Sequence, residues 1–286
     1  MKITDRLSDG KIHISVEVFP PKTDTQYEGV VQAIDKIGAL KPSYISVTYG
    51  AGGGTSKHTV DIAAGLAKHY GVTSMAHLSC VSSTREHVRN MVEQFKENGI
   101  ENILALRGDI PADGHVEKDY RYASELVLEL KHMGDFCIGG ACYPEGHPES
   151  KNKEEDILHL KEKVDAGCDF LTTQMFFDNN LFYNFLYRIR DKGIRVPVVA
   201  GIMPVTNAKQ IRRILSMSET YLPMRFKMLL DKFGDNPAAM KQAGIAYTTE
   251  QIIDLVANDV HAIHIYSMNR PDVAEQIKKS LSEIIV

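Results

Sequence analysis

Two carboxylates close otherwise apolar runs: Glu17 on the strand-like stretch of Ile14, Val16 and Val18, and Asp109 at the end of the run from 102 to 108. A carboxyl group held where water is scarce loses the solvation that favours its charged form. Its pKa then climbs toward the range in which it donates a proton near neutral pH. Pro20 and Pro21 follow Glu17 closely and cannot continue a hydrogen-bonded ladder, so they stop the strand with the glutamate at its rim. Glu17 is therefore a candidate general acid. The alternative is structural, an ion pair with Arg107 or a cap on backbone amides, since ion-pair networks perturb carboxylates as well. Comparable runs end at Thr48, His77, Tyr143, Gln174, Met203 and Asn269, most of them polar where a core strand would stay apolar.

Other residues with chemical potential divide between ligand binding and packing. His77 and His147 suit hydrogen bonding, with a satisfied core or loop histidine as the other reading. Gly50, Gly52, Gly53, Gly54 and Thr55 follow a strand and open a helix. The sixth position of a dinucleotide-binding turn is threonine here, and no acidic residue closes the next strand to hold a ribose hydroxyl. The run reads as a βα loop that lets a cofactor approach the backbone. Cys137 and Cys142, like His261 and His264, lie an odd number apart on one strand and so point to opposite faces; no metal site is assigned. The four cysteines, Cys80, Cys137, Cys142 and Cys168, sit in apolar contexts that suit buried thiols. Phe176, Phe177 and Phe185 read as packing residues.

The elements that position these groups alternate along the chain. Strand patterns run from 13 to 19, 44 to 49, 73 to 80, 102 to 108, 136 to 143, 170 to 177, 196 to 203 and 262 to 268, rich in Ile, Val, Phe, Tyr and Thr. Amphipathic stretches from 26 to 40, 56 to 70, 84 to 98, 122 to 133, 153 to 166 and 180 to 192 lie between them, several stopping at Gly71, Gly99, Gly134, Gly167 or Gly193. Helical patterns at 207 to 217, 223 to 233 and 236 to 256 fill the longer interval before the last strand, with Asn236 as N-cap and Pro237 at the first helical position. Eight regular βα units predict an α/β fold, a (β/α)8 TIM barrel with extra helices before the last strand and residues 1–286 as one domain. A doubly wound open sheet is the competing arrangement. In a barrel the strand tips gather on one face. Side-chain parity then sends Ile14, Val16 and Val18 toward the helices, and Ser15 with Glu17, Ser46 with Thr48, His77 with Ser79, Arg107 with Asp109 and Thr172 with Gln174 inward. An unpaired buried polar group costs on the order of 1–3 kcal/mol, so this much interior polarity calls for a ligand.

Composition excludes some classes of partner. With 286 residues, 43% apolar content and a formal net charge of −4, the chain can bury a large core and offers no basic field for nucleic acid. No apolar run approaches a membrane span, and residues 1–10 lack a signal-peptide pattern. A protein of the cytoplasm is expected.

The runs SVEVFPP (15–21), SVTYG (46–50), ALRGD (105–109), YPEGHPE (143–149), TTQMFFD (172–178), GIMPV (201–205) and HIYSMNR (264–270) closely resemble the methylenetetrahydrofolate reductase family, in the family's order from about residue 11 to 275. That resemblance implies a flavin-binding (β/α)8 barrel that reduces 5,10-methylenetetrahydrofolate with NAD(P)H by way of FAD, in two half-reactions, and a homo-oligomer. It further implies that Glu17 is the acid that helps open the folate's five-membered ring and that Asp109 lies by the flavin and the pterin. Gln174, Gln210 and Arg270 fall on the folate side. By the same resemblance, FAD contacts would come from Thr48, His77, Arg107, Gly108, Asp109, Tyr122, Ala123, Ala141, Tyr143, His147, Asp156, His159 and Lys163. Glu162 stands where some relatives carry a basic residue, which puts one diphosphate contact in doubt. Short relatives more often resemble NADH users.

Overall fold

The computed structural model describes residues 1–21, 26–49, 56–110, 116–117, 119–217 and 220–285; the glycine run at 50–55 lies outside them. Eight strands pair in parallel and in chain order, and the last returns to the first to close a barrel. They are β1 (His13–Val18), β2 (Tyr44–Val47), β3 (Thr73–Ser79), β4 (Asn102–Leu106), β5 (Cys137–Cys142), β6 (Phe170–Thr173), β7 (Val198–Ile202) and β8 (Ala262–Tyr266). Every expected strand is present and every one ends earlier than its apolar pattern does. β6 stops at Thr173 rather than at residue 177, because Phe176 and Phe177 leave the ladder to stack on Phe182 and Phe226.

The helices are α1 (Ile3–Leu7), α2 (Tyr27–Ala39), α3 (Ser56–Tyr70), α4 (Arg85–Glu97), α5 (Ala123–Met133), α6 (Lys153–Asp165), α7 (Asn179–Asp191), α8 (Ala208–Met217), α9 (Met224–Phe233), α10 (Pro237–Ala257) and α11 (Pro271–Ser280). Side-chain caps fix several starts: Thr84, Asn152, Asp178 and Asn236 each accept from a backbone N–H of the first turn, satisfying donors that the helix itself leaves open. Gly71, Gly99, Gly167 and Gly193 take the left-handed conformation after their helices, whereas Gly134 is extended at φ 172.

Parity governs the packing. Val16, Val18, Ile45, Val47, Ala76, Leu78, Ile103 and Ala105 face outward into one buried layer with Leu66, Val88, Val92 and Leu126 of the helices. Each such buried Val, Leu or Ile side chain contributes about 1.5–3 kcal/mol. The inward set begins at the strands' N-terminal ends with an apolar floor of Tyr44, Met75, Leu104, Cys137, Phe170 and Val199. Ile3 of α1 plugs that floor; its N–H donates to Asn102 Oδ1 at 2.8 Å, and Asn102 in turn donates to the carbonyls of Met1 and Ser74. A five-residue helix has no period to read, so the sequence gives no warning of the plug. His261 is exposed while His264 is buried inside, as their odd spacing requires.

One inward expectation fails. Ile103 and Ala105 share the parity of Arg107 and Asp109 and pack outward, while Leu104 belongs to the interior floor. β4 ends at Leu106, and the chain turns at Gly108 with φ 87. A Cβ at Gly108 would lie 2.9 Å from Ser79 Cβ, so the turn needs glycine both for its dihedral and for the close approach. Arg107 and Asp109 reach the mouth of the barrel from this loop and not from the strand.

Candidate active site

Above the apolar floor the interior becomes polar. His264 is fully buried, with Ser15 Oγ 2.7 Å from Nδ1 and Ser46 Oγ 3.0 Å from Nε2, and its ring stacks on Tyr44. Burial and the neighbouring His77 hold its pKa down to about 3; it is a neutral hydrogen-bonding hub. Glu17, His77, Thr172 and Tyr266 form the next level up and line a cavity of about 690 Å³ at the C-terminal end of the strands.

Glu17 is 8% exposed, and burial alone pushes its pKa up to about 8. His77 Nε2 lies 3.8 Å from Glu17 Oε2. Distance alone would make this an ion pair, but burial also pushes His77 down to about 3. Both groups are therefore neutral near pH 7, and 3.8 Å is too long for a hydrogen bond. Arg107, the ion-pair partner that the sequence offered for Glu17, instead makes a bidentate pair with Glu149 at 2.5 and 2.6 Å. With no cation beside it among the described residues, Glu17 keeps its proton and can serve as an acid.

From Glu17 the cavity runs outward between β4, β5 and the helices that follow them. Arg107, Gly108 and Asp109 line it from the loop after β4, and Tyr122 and Ala123 from the N-terminus of α5. Ala141, Tyr143 and His147 line it from the end of β5. Asp156, His159 and Lys163 recur at helical spacing on α6, so one face of that helix forms a wall. Lys163 donates to the Ala141 carbonyl at 2.7 Å, which holds its ammonium at the strand end. His147 packs edge-on to Tyr143 at 4.6 Å, and its Nδ1 accepts from the Glu149 N–H, so the ring proton sits on Nε2. Burial raises the pKa of Asp156 and, with Arg107, lowers that of His147. Gln174 stands exposed at the mouth, its Oε1 accepting from the Met175 N–H.

The candidate residues thus gather in one place with three exceptions. Thr48 sits just past β2, its N–H on the Val18 carbonyl and its own carbonyl accepting from Thr59. Gln210 lies on α8, where its side-chain amide meets Met203 Sδ at 4.0 Å. Arg270 precedes α11 and pairs with Asp272 at 3.0 Å. None of the three is among the residues lining the cavity. Tyr266 and Glu149 line it and were not singled out from sequence. Strand parity with His264 could have marked Tyr266, and Glu149 closes the YPEGHPE run. The four cysteines are free and buried. Among the described residues no cluster of His, Cys, Asp or Glu has the makings of a metal site, and no helix is long and apolar enough to cross a membrane.

Comparison with known proteins bears on the family and the fold. The 5,10-methylenetetrahydrofolate reductase of Pectobacterium carotovorum subsp. carotovorum is 36% identical over 272 residues, covering 95% of this chain and 91% of the relative. That of Escherichia coli (strain K12) matches to the same extent. The Zea mays methylenetetrahydrofolate reductase (NADH) 1 is 36% identical over 99% of this chain, which spans 50% of the plant protein. Among solved structures, a Clostridium thermocellum protein that binds two copies of 5-methyl-5,6,7,8-tetrahydrofolic acid superposes with a TM-score of 0.62 over 98% of both chains at 13% identity. An oxaloacetate acetylhydrolase does so at 0.54 over 99% of this chain and 85% of its own, also at 13%; both likenesses speak for the fold alone. Residues 2–282 match the family described as methylenetetrahydrofolate reductase, and with that match, these relatives and a closed eight-stranded barrel in hand, the chain belongs to the methylenetetrahydrofolate reductase family.

Proposed function

We propose that this chain is a one-domain flavin-binding barrel that reduces 5,10-methylenetetrahydrofolate to 5-methyltetrahydrofolate with NAD(P)H, in two half-reactions that use the same cavity in turn. The observation that carries the reading is Glu17: a buried carboxyl held neutral near pH 7, without a cationic partner among the described residues, on the wall of a cavity large enough for a ring system.

The residues present fit FAD. His77 Nε2 and Thr172 Oγ1 are buried polar atoms on this wall with no hydrogen-bond partner among the described residues. Each such atom costs on the order of 1–3 kcal/mol unless a ligand's polar edge meets it. Lys163, together with the N-terminus of α5, offers positive charge along the outer stretch, as an anionic diphosphate requires, and Arg107 stands there paired with Glu149. Tyr122, Ala123, Ala141, Tyr143, His147, Asp156 and His159 would complete that stretch, and Glu162 would oppose a diphosphate placed against it. FAD, when bound, supplies the hydride relay between the two substrates, which no side chain can perform.

The chain's own part is positioning and proton transfer. Glu17 delivers its proton to the folate nitrogen that leaves the five-membered ring, so that ring opening exposes an electrophilic iminium. His77, neutral and 3.8 Å away, leaves that proton on the carboxyl. Asp109 and Gln174, both exposed at the mouth, would hydrogen-bond the pterin and fix its plane, the alignment that brings donor and acceptor carbons within reach. The expected Gln210 and Arg270 contacts would have to come from outside the cavity wall.

The test is spectroscopic. The purified protein should be yellow or become so on reconstitution with FAD. NADH or NADPH should bleach it anaerobically, and methylenetetrahydrofolate should restore the colour. A colourless protein that turns over folate would favour a flavin-free methyl or methylene transfer instead, and a yellow protein that nicotinamides do not bleach would refute the donor.

A further inference from the structure

The proton on Glu17 depends on what shields the carboxyl from water, since burial is the one cause of its displaced titration. Its surroundings can be taken strand by strand. From β2, Ser46 stands opposite Glu17 in register, but it is small and its hydroxyl serves His264. From β3 comes His77, neutral and 3.8 Å away. From β8 comes Tyr266, the direct register partner of Glu17 on its other side, with the neutral His264 below, its ring edge-on to Tyr266 at 5.4 Å. The loop after β1 adds Phe19, and Ser267 donates to the Glu17 backbone carbonyl. The charged groups farther round the cavity are Asp109, Lys163, Asp156, Glu162 and the Arg107–Glu149 pair. Tyr266 is thus the one large side chain flanking Glu17 along the strand ladder.

Its orientation is fixed. The phenol donates to the Thr173 carbonyl at 2.5 Å, crossing β7 to reach β6, so the hydroxyl is committed away from Glu17. The crossing exists because β7 carries Gly201 at that point: a Cβ there would lie 2.3 Å from the Thr173 carbonyl oxygen and 2.6 Å from the Tyr266 hydroxyl. The Gly201 N–H is tied to Thr173 Oγ1 at 2.9 Å, which holds the same crossing from the other side. What Tyr266 offers the carboxyl is hydrocarbon.

We propose that Tyr266 is a positioning residue whose ring, anchored on Thr173 and admitted by Gly201, is the wall that keeps water from the Glu17 carboxyl. This rests on the reading of Glu17 as the acid, but it is tested on a different quantity. The protonated Glu17 carboxyl has a C=O infrared band, assigned by its loss in Glu17→Gln, that can be titrated in the purified protein without turnover. Tyr266→Phe keeps the ring and should leave the titration where the parent has it. Tyr266→Ala opens the flank, and the band should titrate at least one pH unit lower, a tenfold weaker hold on the proton. The alkaline limb of the folate half-reaction should move with it. Should the alanine variant not fold, Tyr266→Leu opens part of the flank and is read the same way. Coincident titrations of parent and Ala or Leu variants would overturn the inference. So would a Phe variant that shifts as far as Ala, because the hydroxyl and not the wall would then be responsible. Absence of the band in the parent at pH 7 would instead sink the acid itself, and the two failures are distinct.

Discussion

Replacing Glu17 by Gln should shift stability in the variant's favour by an amount that grows with pH. In the unfolded chain the carboxyl ionises at its ordinary 4.5, while in the folded protein burial delays ionisation to about 8. Between those limits the unfolded state has given up a proton that the native state retains, so each added pH unit costs the native state about 1.4 kcal/mol relative to the unfolded one. Stability tied to this group is fully present below pH 4.5 and is lost as pH rises to 8; summed over that window the loss is about 4–5 kcal/mol. Against the 5–15 kcal/mol typical of a domain, that is a large burden for one side chain. Glutamine has nearly the same shape and does not titrate. Subtracting the parent's unfolding free energy from that of Glu17→Gln at each pH therefore cancels every other group and leaves the difference between amide and acid as a constant offset, so the slope reports Glu17 alone. The chain has no tryptophan, so far-UV circular dichroism in urea at five or six values from pH 5 to 9 is the assay. The difference should climb steadily to about pH 8 and then flatten. A difference independent of pH would mean that Glu17 ionises normally in the folded protein, and the proton-donor argument would fall with it.

Two further outcomes are expected. Asp109→Asn should slow the folate half-reaction more than the nicotinamide half-reaction, measured separately by anaerobic stopped flow, because the exposed carboxylate sits at the mouth where the pterin is proposed to lie; equal losses in both halves would make it a residue of the fold. Gly244→Ala should be among the most damaging small changes, by roughly 1–3 kcal/mol or more as overpacking goes, since a Cβ on this residue of α10 would lie 1.7 Å from the Val205 carbonyl oxygen. Its urea midpoint should fall clearly below that of an alanine at exposed Gly29, which has open space around it.

What could be read early followed from local rules. The eight strands, the nine helices from 26 to 256 and the inward set Ser15, Glu17, Ser46, His77 and Thr172 depend on period, caps and parity, which neighbouring residues set among themselves. Where a position depended on contact across the barrel, local rules failed. Arg107 and Asp109 left the expected face because Gly108 turns the chain against Ser79, and α1 was invisible because its single turn is held by Asn102 and the floor rather than by any pattern of its own.

The amino-acid sequence determined that polar side chains would stand at the tips of parallel strands and that one of them, Glu17, would be a carboxylate. Its protonation was decided only by the tertiary structure. Closing the barrel sets Tyr266 on one flank, brings a neutral His77 to 3.8 Å from beyond the small Ser46 on the other, and holds Arg107 away on Glu149. Solvation and charge at a buried atom depend on everything packed around it, and those neighbours come from strands that the chain separates by up to about 250 residues.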